Sequence, residues 1–279
     1  MHQDEVDNHL TPFYQPQIDM VTGTLIGFEA LMRWNNSRYL NTSTWQVLSI
    51  VESMGMIPAL DLVIFRKVCR DIADWKANGL TVPKVSTNLS RTTLQTASLL
   101  DELEQTLKQY GLENTDVELE ITESGFSLDD KLFSKQISVL KEAGFNIAID
   151  DFGTGMSNIA TIRDVECHLL KVDRQFVHGV SINQHIAALL RLIKGTADLL
   201  NIPLLVEGVE TQDDLDWLTN EGINLIQGWY FSKALPAIMI PGLLQKINST
   251  PKEEQGRYSN NAEQLRCLLT TITAGQTLR

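Results

Sequence analysis

Short apolar runs of strand length alternate along this chain with longer stretches in which apolar residues recur at helical spacing. A strand followed by a helix, repeated many times, leaves few options: most strands must lie parallel, side by side, with helices covering them. Eight strands are predicted, at Thr11–Gln17, Leu25–Trp34, Val82–Leu89, Val117–Glu123, Asn146–Asp151, Leu169–Asp173, Leu204–Glu207 and Asn224–Gln227. Helices are predicted between them at Thr44–Ser53, Ala59–Ala77, Ala97–Tyr110, Ser127–Ala143, Gln184–Leu200, Gln212–Asn220 and Pro236–Lys246. Only a short segment around Thr22-Gly23 separates the first two strands. That is too short for a parallel crossover, so they form a hairpin and one strand runs antiparallel. The other connections suit a closed barrel or an open doubly wound sheet, and strand count and a length of 279 residues favour the barrel.

Residues 1–9 read as a tail, 10–247 as the barrel, and 248–279 as a polar linker with a short helix or tail. Asn248–Asn261 is rich in charge and contains Pro251 and Gly256; Ala262–Thr273 has the pattern of one amphipathic helix, either packed on the barrel or the stub of something further. With 43% hydrophobic and 21% charged residues, and no apolar run near the roughly 20 residues of a membrane span, the chain reads as folded and free of membrane segments. Lys and Arg number 23 against 35 Asp and Glu, and the net charge of -12 argues against binding polymeric nucleic acid. Cys69, Cys167 and Cys267 are an odd number, widely spaced and without CxxC, and are expected to be buried thiols. The acidic start MHQDEVDNHL lacks the charge and apolar core of a secretory signal, so a cytoplasmic location is expected.

Six strands carry a polar group at or near the C-terminal end of an apolar run: Glu29, Asn88, Glu120, Asp150 with Asp151, Lys171, and Glu207. Strand C-termini of a barrel converge on one rim, so these residues would meet there. Alternation puts Glu118, Glu120 and Thr122 on the luminal face of their strand, and Lys171 on the face shared by Leu169 and Asp173. Carboxylates crowded into a partly dry pocket repel, and one lysine does not balance them. Oxygen donors without His or Cys select a hard ion, Mg²⁺ or Mn²⁺ in an enzyme and Ca²⁺ in a flexible structural site. Asp150 and Asp151 could bridge two ions, as in two-metal phosphoester hydrolysis.

An acid closing a strand often serves only as a helix cap or solvated loop residue; for Glu118 and Glu123 an ion-pairing or loop-supporting role is preferred. No dinucleotide fingerprint, P-loop or GxSxG occurs, the five histidines form no ligand-like pair, and Trp34 and Trp229 are read as packing residues.

Gly27-Phe28-Glu29-Ala30-Leu31-Met32-Arg33-Trp34 resembles the signature of the EAL domain family of cyclic di-GMP phosphodiesterases. Tyr14-Gln15-Pro16, Thr87-Asn88-Leu89-Ser90, Glu120-Ile121-Thr122-Glu123, Asp150 through Gly155, Leu170-Lys171-Val172-Asp173, Glu207-Gly208-Val209-Glu210 and Gln227-Gly228 follow in the family's order. The resemblance implies an α/β, TIM-like (β/α)8 barrel with one antiparallel strand that hydrolyses cyclic di-GMP to linear pGpG with Mg²⁺ or Mn²⁺, Ca²⁺ being unproductive. It implies one ion on Glu29, Asn88, Glu120 and Asp150, and a second on Asp150, Asp151 and Glu207. It casts Lys171 and Glu207 as water-orienting and general-base groups, Gln15, Arg33 and Gln227 as substrate contacts, and Glu123 and Glu210 as supporting residues. A homodimer is a further family expectation. Met156, Ala234 and Asn35-Asn36-Ser37 depart from the family's usual residues without touching an expected ligand. Two alternatives stand beside this reading: a non-catalytic cyclic di-GMP-binding or protein-interaction module on the same barrel, and another metal-dependent barrel enzyme.

Overall fold

The computed structural model describes residues 9–35, 43–122, 131–154, 167–249 and 258–274. Strands β1 (Leu10–Asp19) and β2 (Thr24–Trp34) form the predicted antiparallel hairpin, paired from Leu10 with Trp34 to Asp19 with Thr24. After helices α1 (Thr44–Ser53) and α2 (Ile57–Ala77), β3 (Lys84–Asn88) adds in parallel to β2. Then come the short α3 (Arg91–Leu94), α4 (Leu99–Tyr110), β4 (Val117–Thr122), α5 (Lys131–Glu142) and β5 (Asn146–Phe152). They are followed by β6 (Leu169–Val172), α6 (Gln184–Leu200), β7 (Leu204–Val206), α7 (Gln212–Asn220) and β8 (Leu225–Gln227). Neighbours from β2 to β8 pair in parallel, and β1 joins β8 to β2, antiparallel to both, so the barrel closes. No open edge remains between these eight strands.

The helix predicted at Pro236–Lys246 starts later than the sequence suggests. β8 covers only Gln17 to Asp19 of β1, which leaves backbone groups higher on β1 without a partner. Leu235–Pro236 fills that place as a short β9 opposite Tyr14 and Phe13, and a 3-10 turn at Ala237–Met239 leads into α8 (Ile240–Ser249). The beginning of the helix predicted at Ser127 lies outside the described residues.

Each helix turns an apolar stripe inward. On α2, Leu60, Ile64, Phe65, Val68, Ile72 and Trp75 are buried, and the rings of Tyr14 and Trp75 meet edge to face at 4.8 Å. Burying side chains of this size stabilises by about 1.5–3 kcal/mol each. Tyr14 Oη donates to Asp71 at 2.8 Å, so its polar end is satisfied inside the core. A final helix, α9 (Tyr258–Ala274), begins inside the stretch expected to be linker and buries Ala262, Leu265 and Leu269 in the main core. Cys69 and Cys167 are buried thiols as expected, but Cys267 is exposed, because it lies off that apolar stripe of α9. Among the described residues, no helix is long and apolar enough to cross a membrane.

The lumen is layered. Ala148, Leu169 and Leu205, with Leu225 against them, form a small apolar cluster separate from the main core. Two residues further along each of these chain segments stand Asp150, Lys171, Glu207 and Gln227. Alternation therefore sets an apolar floor beneath a polar mouth.

Candidate active site

Glu29 is in the middle of β2, not at its end, since that strand runs on to Trp34. It pairs in register with Ser86, whereas Asn88 pairs with Glu120, and Asp150 pairs with Thr122. Tilted strands place residues of different register at one height, and this stagger brings Glu29, Glu120 and Asp150 together although no two are direct partners. One carboxylate oxygen from each lies within 4.8 Å of the other two, and all three residues are buried. Asn88 Nδ2 donates to Glu29 Oε1 at 3.3 Å, and Gln227 Nε2 donates to Glu29 Oε2.

Lys171 is fully buried at the centre of this group. Its Nζ is 2.6 Å from Glu207 Oε1, 2.8 Å from Glu120 Oε2, 3.3 Å from Glu29 Oε2 and 3.5 Å from Asp150 Oδ1. Contact here is chiefly ionic: among the described residues, both Glu120 oxygens, Glu207 Oε1 and Lys171 Nζ are buried without a well-aligned hydrogen bond. Among the described residues four acids share one cation, and the shortfall shows in their proton affinities. Burial, only partly offset by Lys171, pushes the Glu120 carboxyl well above its ordinary range, and the same causes push Glu207 up to about 8. At Glu29 burial acts in the same direction, but Lys171, Gln227 and Asn88 outweigh it and leave that carboxyl below its ordinary value. Burial would discharge Lys171, yet its carboxylate neighbours raise its ammonium well above the usual range.

Consecutive residues on a strand normally face opposite ways, so Asp150 and Asp151 need a local distortion to serve one mouth. β5 provides it. Its pairing with β6 shifts register between Ile149 and Phe152, and Asp151 adopts φ 56, in the left-handed region. Asp151 N–H donates to Asp150 Oδ1 at 2.9 Å, fixing the pair. Burial and then the Asp150 charge raise the Asp151 carboxyl to about 6.

Two pockets flank the acids. One, of about 150 Å³, is lined by Gln15, Asp173, Arg174, Glu207, Glu210, Gln227 and Trp229. Gln15 Nε2 donates to Ser232 O at 3.2 Å, and Gln227 Nε2 reaches Gln15 Oε1 at 3.4 Å. The other, of about 290 Å³, lies between β2, α1 and α2 and includes Leu31, Met32, Arg33, Leu48, Asp61 and Asn88 in its lining. Arg33 is half-buried there; burial lowers its guanidinium's proton affinity and the nearby Glu29 opposes that.

The structure thus gathers Glu29, Asn88, Glu120, Asp150, Lys171 and Glu207 at one mouth, with Asp151 beside Asp150 and with Gln15, Arg33, Gln227 and Glu210 on its walls. Glu123 and Met156 lie outside the described residues. Glu118 points into the lumen but pairs with Lys84 of β3, in keeping with an ion-pairing role. Trp34 packs partly buried against the core, whereas Trp229 is 56% exposed with Lys233 Nζ 4.5 Å from its ring centroid, so packing does not account for it. Asp61 gave no signal in sequence, being one polar residue near the start of a helix. Its Oδ2 accepts from Ser90 N–H and Thr93 Oγ1 while the residue lines the Arg33 pocket.

A family model described as the EAL domain matches residues 2–234. The chain belongs to the EAL domain family. This EAL domain is 32% identical over 239 residues to the cyclic di-GMP phosphodiesterase NbdA of Pseudomonas aeruginosa, covering 86% of this chain and 30% of that protein. It is 31% identical over 238 residues to the probable cyclic di-GMP phosphodiesterase PdeB of Escherichia coli, covering 84% of this chain and 44% of the relative. The chain spans less than half the length of these curated relatives. Among solved structures, the PaMucR phosphodiesterase in complex with c-di-GMP matches with a TM-score of 0.78 and 30% identity, over 84% of this chain and 94% of that one.

Proposed function

We propose that this EAL domain hydrolyses one phosphodiester bond of cyclic di-GMP to give linear pGpG, using Mg²⁺ or Mn²⁺. The observation that carries the reading is the buried acid cluster itself. Glu29, Glu120, Asp150, Asp151 and Glu207 against Lys171 leave a formal charge of minus four at full ionisation, which two divalent cations would cancel. The Glu120 oxygens, without a well-aligned hydrogen bond among the described residues, and the all-oxygen carboxylate set fit a hard ion. Glu29, Asn88, Glu120 and Asp150 would hold one ion and Asp150, Asp151 and Glu207 the other. When bound, such ions polarise phosphoryl oxygens and lower the pKa of water.

The chain's own groups do the rest. Arg33, able to donate as a planar fork, takes a phosphate oxygen at the edge of its pocket. The apolar wall formed by Leu31, Met32 and Leu48 suits the face of a purine, and the pocket beside Gln15 and Glu207 takes the second half of the dinucleotide. Lys171 orients the attacking water and offsets the charge that builds on the phosphate. Glu207, 20% exposed at the mouth, accepts that water's proton at a carboxylate oxygen. Glu210 supports this wall. The relatives' names and the c-di-GMP complex of the PaMucR phosphodiesterase support the substrate. A cytoplasmic location is part of this reading.

Chromatography of nucleotides after incubation with cyclic di-GMP tests the reading. Turnover to pGpG is expected with Mg²⁺ or Mn²⁺ and not with Ca²⁺ or chelator. Glu29→Ala should abolish it, and a Glu29→Ala protein of full activity would sink the mechanism. Tight binding without turnover under any metal would replace the enzyme with a sensor.

A further inference from the structure

Helix α9 lies beyond the residues that match the EAL family, yet it is docked on the barrel. Ala262, Leu265 and Leu269, at helical spacing, are buried in the main core. Next to this stripe, Arg266 Nη1 donates to Tyr230 Oη at 2.8 Å, and the guanidinium carbon sits 4.0 Å from the Tyr230 ring centroid. The Tyr230 hydroxyl donates in turn to Gln212 Oε1, on the first residue of α7. A pocket of about 440 Å³, whose lining includes Gln212, Leu215, Tyr230, Phe231, Ala262 and Glu263, lies between α9 and α7. The Arg266–Tyr230–Gln212 bridge therefore spans a gap that packing does not fill.

Tyr230 is also locked to the catalytic loops. Its N–H donates to Val209 O at 2.9 Å, and Val209 N–H donates to Gln227 O at 3.2 Å. A Cβ at Gly228 would come within 2.1 Å of Val209 O, so segments 207–210 and 227–230 are pressed backbone to backbone. Those two segments present Glu207 and Gln227 to the mouth. We infer that Arg266 is a positioning residue: through Tyr230, the C-terminal helix holds the paired loops that carry Glu207 and Gln227. The bond chain runs from Arg266 to Tyr230, from Tyr230 to Val209, and from Val209 to Gln227, with Glu207 two residues before Val209.

The kinetic part of the test rests on the phosphodiesterase reading; the exchange part does not. In the full chain, Arg266→Ala is expected to lower kcat about ten-fold with KM within about two-fold, since displacements of an ångström at reacting groups cost up to roughly a hundred-fold. Arg266→Lys, which keeps the charge but not the flat stacking fork, should recover part of it. Tyr230→Phe keeps the ring and removes only the hydroxyl bridge, so it decides the matter if Arg266→Ala fails to fold. Hydrogen exchange at the Val209 and Tyr230 amides should accelerate in each variant. Unchanged kcat beside a lowered melting temperature would reduce α9 to a structural prop and overturn the inference. A wild-type chain inactive on cyclic di-GMP would instead defeat the functional reading. Amide exchange would then decide alone, with unchanged protection in Arg266→Ala overturning the positioning role and faster exchange upholding it.

Discussion

Replacing Lys171 with methionine removes the one cation shared by four acids while roughly keeping the side chain's length. Its ammonium lies 2.6 to 3.5 Å from carboxylate oxygens of Glu29, Glu120, Asp150 and Glu207. At an effective dielectric constant of about 20, each such pair attracts by about 5–6 kcal/mol when its carboxylate is ionised, and two ionised partners already exceed the several kcal/mol needed to bury an ammonium. Removing one partner from a buried charged group costs about 3–5 kcal/mol, because the remaining charges lose their compensation. The sign of the pH dependence follows from Glu207, whose carboxyl titrates at about 8 in the fold against an ordinary 4.5. A raised carboxyl contributes its stabilisation fully below the unfolded value and loses it as pH rises through the folded one. Without Lys171 that loss is deeper. Urea unfolding in chelator should therefore show Lys171→Met destabilised by about 3–5 kcal/mol at pH 8.5, roughly 6 to 15 °C in melting temperature, and by much less at pH 5.5. Mg²⁺ should recover part of the loss at high pH. A loss of equal size at both pH values, or none at pH 8.5, would show that Lys171 does not govern the charge of this cluster.

Metal binding should expel protons. With Glu207 at about 8 and Asp151 at about 6 in the metal-free chain, Mg²⁺ affinity should climb between pH 6 and pH 8. Calorimetry at pH 7 in buffers of different ionisation enthalpy should detect net proton release; none would mean that these acids do not meet the ion. Gly208→Ala should cost about 2–4 kcal/mol, because Gly208 has φ 70 and an added Cβ would sit 2.2 Å from Arg174 Cβ. Activity should fall further than stability, since Glu207 precedes it; urea unfolding and kcat read the two effects, and normal values of both would refute the clash.

Much of the site could be read from order and parity. Alternation on β4 predicts Glu118 and Glu120 inside the lumen, and both are fully buried there; the same parity sends Lys171 toward the acids it contacts. The hairpin before Thr24 follows from the length of the turn alone. These signals are local, because side-chain direction within one strand repeats every two residues whatever its neighbours do.

What lay beyond the sequence depends on how distant segments close on each other. Leu235–Pro236 pairs with β1, delaying the helix predicted from Pro236, because β8 is too short to satisfy that strand, a vacancy visible only after closure. The register shift and left-handed backbone at Asp151, the exposure of Trp229 and Cys267, and the docking of α9 by Arg266 likewise have no local periodicity to announce them. The amino-acid order by itself determined which residue types stand on luminal faces and in what succession around the barrel. Tertiary structure alone decided their height, since strand stagger and closure, acting between chain segments far apart in sequence, bring mid-strand Glu29 level with Glu120 and Asp150 and set Lys171 among them.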